Sequence, residues 1–135
     1  MYLIDTNVVS ELRRRRPHQA VVAWLEQAPD QTLHLSAVTL GELQASMEIT
    51  RAQDPPKAAE IEAWIDRVAE AWNVLPMTAA IFRCRARLMH GRQDHPLEDA
   101  IIAATAVVHD LTVVTRNLRD FKPFGVRTFD PFRAR

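Results

Sequence analysis

The sequence has one cysteine, three glycines and no excess of charge of either sign. Each scarcity excludes something. Cys84 has no partner for an internal disulfide, so the fold must hold without a covalent staple, and a reduced, cytoplasmic setting is expected. Three glycines in 135 residues are too few for an all-β architecture full of tight turns. No apolar run approaches the ~20 residues that a membrane span needs. The start has no basic segment followed by an apolar one, as a secretory signal requires; Arg13–Arg16 comes after the apolar start.

What remains is ordinary for a globular protein: 47% apolar and 25% charged residues, in a length suited to one compact domain over residues 1–135. The net charge of zero hides an uneven layout. Residues 42–73 carry seven acids and three bases, whereas residues 111–135 carry six bases and two acids. Such polarity can turn a basic face toward an anionic ligand.

Periodicity gives the elements. The run "YLI" at 2–4 ends on Asp5 and fits a buried strand, with Thr6 or Asn7 available to cap a short helix behind it. Val21, Trp24, Leu25 and Ala28 form a helical stripe. "LHL" at 33–35 fits a second strand, and Ser36 caps a helix carrying Leu40, Leu43 and Met47. Pro55-Pro56 marks a joint between helices. Ile61, Trp64, Ile65, Val68 and Trp72 give the strongest amphipathic helix, and Thr78 caps another with Ile81, Cys84 and Leu88 inward. Pro96 suits the first turn of a helix over 96–109 that is apolar nearly all round, and His109 suits its carboxyl end. "LTVVT" at 111–115 is a β-branched strand, and "VRTF" at 126–129 an edge strand. Strands alternating with helices predict an α/β fold, with a mostly parallel sheet of four to five strands flanked by helices.

That topology gathers polar groups. Open parallel sheets bind ligands beyond the carboxyl ends of their strands. Asp5 follows the first strand and Asn117 follows strand 111–115. Helix 96–109 runs directly into that strand, so its start, with Asp99, lies back at the same edge. Glu42 is about 9 Å along its helix from Ser36 and joins only if that helix crosses the site. Carboxylates aimed at one place must either keep protons or surround a cation. Oxygen ligands favour Mg²⁺ or Mn²⁺, and such a centre can activate water for in-line attack on phosphate.

Each residue has a plainer role to set beside this. Asp5 can serve as a helix cap. Glu42 can be an exposed helix glutamate. Asp99 and Glu98 can complement a helix dipole, an effect of about 0.3–1 kcal/mol. Adjacent helix residues diverge by about 100°, so Asp99 is assigned inward and Glu98 to the rim, facing a Lys or Arg. Asn117 and Asp120 can form a turn. Arg13–Arg16 reads first as a solvated charge run. His18, His34, His90, His95 and His109 lack zinc spacing. Cys84 lies on a buried stripe without catalytic context.

The stretches "YLIDTNVVSEL" (2–12), "LSAVTLGEL" (35–43), "LEDAIIAATAVVHDLTVVTRNLRDF" (97–121) and "FDP" (129–131), in that order, resemble the PIN-domain family. Within it they resemble the toxin ribonucleases of bacterial toxin–antitoxin pairs, the VapC and FitB type. The resemblance implies a metal-dependent endoribonuclease that leaves 5′-phosphate and 3′-hydroxyl ends. Asp5, Glu42 and Asp99 would hold Mg²⁺ or Mn²⁺. Many members carry a fourth acid where this chain has Asn117, so the fourth role falls to Asn117 or to Asp120. Thr6, Asn7 and Thr115 match supporting polar positions, and Arg116 and Arg119 flank the site as phosphate contacts. The resemblance also implies a homodimer and a small antitoxin whose extended tail covers the acidic site, often with an Arg.

Two rivals stand beside an RNA-cleaving toxin. A non-catalytic binding module on the same fold is favoured by Asn117 and opposed by three intact acids. A phosphatase with Asp5 as nucleophile would want a second Asp two residues on, where this chain has Asn7.

Overall fold

The computed structural model describes residues 1–92 and 97–133. Pro96, His95 and Arg135, which the sequence singled out, lie outside the described residues. In chain order the elements are β1 (Tyr2–Ile4), α1 (Thr6–Glu11), α2 (Gln19–Gln27), β2 (Leu33–Ser36), α3 (Ala37–Gln53), α4 (Pro55–Ala71), β3 (Asn73–Leu75), α5 (Ala79–Met89), α6 (Leu97–His109), β4 (Thr112–Val114), α7 (Leu118–Phe121) and β5 (Thr128–Phe129). The five strands form one sheet in the order β3-β2-β1-β4-β5, and every neighbouring pair is parallel. The expected α/β architecture is therefore present, with β1 at its centre.

A parallel sheet requires crossovers, and these place helices over both faces. The pleat divides the strand residues between the faces. Ile4 packs with Val8, Val21, Met47, Ile65 and Val68, from α1 to α4. Leu3, one residue earlier, packs with Ala100, Ile102, Ala103, Val113 and Phe121, from α6, β4 and α7. Alternating residues of one three-residue strand thus anchor two cores.

The helices start on short polar side chains. Ser36 accepts from the Val38 amide, Asp54 from Lys57 and Thr78 from Ile81. Asp54 is also the C-cap of α3, so the joint before Pro55-Pro56 is one residue wide. Ser36 is buried, and Ser36→Ala should cost about 1 kcal/mol of unfolding free energy. Urea denaturation checks this; an unchanged midpoint would mean that the cap contributes nothing.

Asp5 takes the cap role set out for it, and Thr6 and Asn7 do not: its Oδ1 accepts the Thr6 amide at 2.8 Å. Three features depart from expectation. β3 pairs with β2 over only three residues on the sheet's edge, too short and too exposed for period-2 patterning to reveal. A short helix, α7, stands where a simple turn was expected. Finally, α6 is buried continuously only from Ala100 to Ala106; Val107, Val108 and His109 emerge into solvent.

Candidate active site

Asp5 is the most fully hydrogen-bonded acid at the carboxyl edge among the described residues. It leaves β1, and its backbone amide still donates to the Val114 carbonyl of β4. Its side chain is buried and accepts three hydrogen bonds: the Thr6 amide at 2.8 Å, Asn7 Nδ2 at 3.1 Å and Thr115 Oγ1 at 2.8 Å. Burial raises the Asp5 carboxyl above its ordinary pKa. The three donors pull it back, and the charge of Asp120 pushes it further up.

Asn7 and Thr115 cross-link the two strand ends. Asn7 Nδ2 also reaches Thr115 Oγ1 at 3.2 Å, and Asn7 Oδ1 accepts the Arg116 amide at 3.2 Å. Thr115 Oγ1 in turn accepts the Asn117 amide at 3.0 Å. The expected supporting residues therefore converge on Asp5.

Glu42 does reach the site, because α3 crosses it. Thr6 Oγ1 donates to Glu42 Oε1 at 2.9 Å and lies 3.2 Å from Thr39 Oγ1. Thr6 thus secures two acids, one through its amide and one through its hydroxyl. Its single hydroxyl proton serves Glu42, so the Thr39–Thr6 contact is made with the proton of the fully buried Thr39. Sequence reasoning missed Thr39, and a Thr three residues before Glu42 on the same helix face was the available signal. Thr39→Val should lower activity about tenfold while Thr39→Ser retains it, since the hydroxyl and not the shape is at stake. Equal rates for Val and Ser variants would overturn this.

Asp99 is half-buried in the first turn of α6. Burial, together with the charges of Asp5, Asp120, Glu42 and Glu98, pushes its pKa up to about 6. Burial first, and then Glu98 and Asp5, also raise Glu42 against the Thr6 hydrogen bond. The Lys or Arg expected to face Glu98 is not found: among the described residues Glu98 forms no salt bridge, and its charge acts on both Asp99 and Glu42. The 100° turn separates their side chains but not their fields, which reach across one helical turn.

Asp120 and Asn117 differ in kind. Both are exposed, and Asn117 precedes α7 without capping it through its side chain. Asp120, in that helix, adds its charge to both Asp5 and Asp99. Asp120→Ala should therefore lower divalent-metal affinity several-fold and Asn117→Ala much less; isothermal titration with Mn²⁺ compares them. A larger loss for Asn117→Ala would reverse the assignment. Arg116 is exposed, with its guanidinium 4.5 Å over the Phe132 ring. Arg119 is exposed on α7, lining a shallow groove with Lys122.

Beside Glu42 a cavity of about 250 Å³ opens between α1, α3 and α4. Thr6 and Glu42 stand on its wall with Leu43, Met47, Trp64 and Arg13.

The site's donors are carboxylate and hydroxyl oxygens, and no salt bridge neutralises Asp5, Glu42, Asp99 or Asp120 among the described residues. Nor, among them, do three His, Cys, Asp or Glu side chains close around one point as a ready cage for an ion. The arrangement fits a hard cation that keeps part of its water. Mg²⁺ is usually bound in that way, through one or two carboxylates.

A five-stranded parallel sheet carrying acids on its carboxyl edge defines an α/β domain with a polycarboxylate centre. The PIN domain family model matches residues 2–125, and the chain belongs to that family. It is 32% identical over 142 residues to the VapC ribonuclease Y4jK of Sinorhizobium fredii, covering 98% of each chain. It superposes on a crystal structure of FitAcB from Neisseria gonorrhoeae with a TM-score of 0.89, at 30% identity and covering 98% of this chain and 99% of that one. A toxin–antitoxin complex from Klebsiella pneumoniae gives a TM-score of 0.74 at 26% identity, covering 97% and 98%.

Proposed function

We propose that this chain is the toxin of a toxin–antitoxin pair, an endoribonuclease that hydrolyses RNA phosphodiesters with a divalent cation at the Asp5 cluster. One observation carries the proposal. Three carboxylates from separate elements, Asp5, Glu42 and Asp99, have their proton affinity raised by burial and by neighbouring acid charge, with no basic side chain paired to them among the described residues. A chain gains nothing in stability from that repulsion; a cation relieves it.

Mg²⁺ or Mn²⁺ bound there would supply Lewis-acid polarisation of the phosphate and an activated water. Asp5, Asp99 and Glu42 would hold it, with Asp120 as the fourth acid. The residues behind them do the positioning. Three donors fix the Asp5 carboxylate, Thr6 fixes one oxygen of Glu42, and the packed run Ala100–Ala106 fixes the helix that delivers Asp99. Arg116 and Arg119 are available for backbone phosphates next to the scissile bond.

A cognate antitoxin would lay an apolar segment in the cavity between α1, α3 and α4, and an Arg from it would substitute for the cation's charge. A second copy would cover the apolar residues that α5 and α6 leave exposed, Phe82, Val107 and Val108. Asn117 favours a non-catalytic module, but Asp120 supplies the missing charge. The phosphatase alternative wants an acid at residue 7, where the Asn7 amide instead holds Asp5.

The test is incubation of partner-free protein with structured RNA in Mg²⁺, Mn²⁺ or EDTA, alongside Asp5→Asn. Cleavage is expected with either metal and none in EDTA. Cleavage in EDTA, or cleavage that survives Asp5→Asn, would overturn the mechanism.

A further inference from the structure

The four arginines at 13–16 have no part in the chemistry above, yet the fold places them beside it. They form the connection between α1 and α2, and α1 begins on Asp5. A helix of six residues spans about 9 Å, so the run starts close to the acidic edge. Two independent contacts tie its ends to the site's surroundings. Arg13 lies 5.5 Å over the Trp64 ring and lines the cavity whose wall includes Thr6 and Glu42. At the other end, just past Pro17, the His18 ring meets Phe132 edge-on at 5.3 Å. The opposite partner of Phe132 is the Arg116 guanidinium, at 4.5 Å, and Arg116 directly follows Thr115 of the Asp5 network. The arginine run is thus bracketed by Glu42's cavity on one side and Arg116 on the other.

The connection is also held in shape. Glu11, buried at 6% exposure, accepts the His18 amide at 2.9 Å and Arg14 at 3.5 Å, closing the loop across seven residues. A freely solvated charge run needs no buried carboxylate to fold it. Arg14, Arg15 and Arg16 remain exposed, and Arg15 and Arg16 form no ion pair among the described residues. A loop of fixed span that carries four guanidinium ions, next to an acidic centre that would repel an anionic polymer, offers that polymer the compensating attraction it needs.

We infer that the Arg13–Arg16 loop, continued by Arg116, binds the sugar–phosphate backbone of the RNA substrate and delivers it to the carboxylate edge. The inference rests on the nuclease proposal for its ligand class, but its test is separate. Arginine pairs with phosphate oxygens through its planar fork, and each phosphate contact releases a counterion. Binding through the loop must therefore weaken with salt in proportion to the arginines engaged.

The experiment measures fluorescence anisotropy of a labelled single-stranded RNA with the full chain carrying Asp99→Asn, in EDTA, between about 50 and 200 mM salt. Arg14→Ala/Arg15→Ala/Arg16→Ala is compared with Arg67→Ala/Arg83→Ala/Arg87→Ala, which removes the same charge from exposed positions elsewhere. The loop variant should bind about tenfold more weakly, and its log–log salt slope should be shallower by about 2, from roughly 0.7 per phosphate contact. The control should change far less. Equal losses in both would reduce the effect to net charge and overturn the inference, as would unchanged binding. Arg15→Ala/Arg16→Ala, which leaves the Glu11–Arg14 pair intact, guards against a folding defect. A loop variant that binds RNA normally but escapes inhibition by the antitoxin would assign the loop to a protein and overturn it too. If the wild-type chain cuts no RNA while the slope still falls, the nuclease proposal fails and the loop stands. If the wild type cuts RNA and the loop variant binds and cuts equally well, the reverse holds.

Discussion

Asp99→Asn should lower RNA cleavage by roughly a thousandfold, equivalent to about 4 kcal/mol of transition-state stabilisation, and at the same time make the metal-free protein more stable. The two effects share a cause. Asp99 titrates near 6 because burial and four neighbouring acids oppose its charge. Above that pH the ionised side chain strains the fold and serves the chemistry. Asparagine keeps the shape and removes the charge. After allowance for solvent screening, the relief is on the order of 1 kcal/mol, or a rise of a few degrees in melting temperature. Single-turnover kinetics and a thermal melt in EDTA at pH 7.5 measure the pair. A residue kept only for folding would lose stability on substitution. Reduced activity with reduced stability would therefore count against Asp99 as a functional acid.

Adding Mg²⁺ or Mn²⁺ should stabilise the wild-type protein above pH 6 and have little effect below it. At a metal concentration about a hundredfold over the dissociation constant the gain is about 2.7 kcal/mol, or about 10 °C in melting temperature for a chain of this size. The sign follows from the direction of the Asp99 shift. Its folded-state pKa of about 6 lies above the ordinary 3.8, so its contribution favours the fold in acid and is lost as pH rises from about 4 through 6. Metal takes over where the proton leaves. Cleavage should fall along the same curve as pH drops through 6, since protonated Asp99 no longer offers a charged oxygen. Melts from pH 5 to 8 with and without metal, and with Asp99→Asn, check it. A metal effect that is flat with pH, or undiminished in Asp99→Asn, would place the cation elsewhere.

Much of this arrangement was legible beforehand, and the illegible part has physical reasons. Strands β1, β2 and β4 announce themselves because a parallel sheet's inner strands are buried on both faces and read as short apolar runs. Topology then carried Asp5 and Asp99 to one edge. Glu42 depended on whether α3 crosses that edge, and distance along a helix does not settle a crossing direction. β3 escaped notice because an edge strand of three residues, with Asn73 and Val74 exposed, has no pattern to show. The effect of Glu98 on Glu42 and Asp99 escaped notice because side-chain direction was treated as if it also limited electrostatic reach. Thr39 acts through a neighbour, by a hydroxyl passed along to Thr6. Such roles depend on what stands beside a residue, and the sequence order does not list neighbours in space.

The Asp5–Thr115 hydrogen bond spans 110 positions of the chain. Asp5 therefore leaves the ribosome well ahead of the group that fixes it. At about 5–20 residues per second, roughly 5–20 seconds separate the two. Until then β1 has no β4 beside it, and the carboxylate has only its local donors, the Thr6 amide and Asn7 Nδ2. The acidic edge of a nascent chain therefore stays unfinished until β4 and Thr115 have been made.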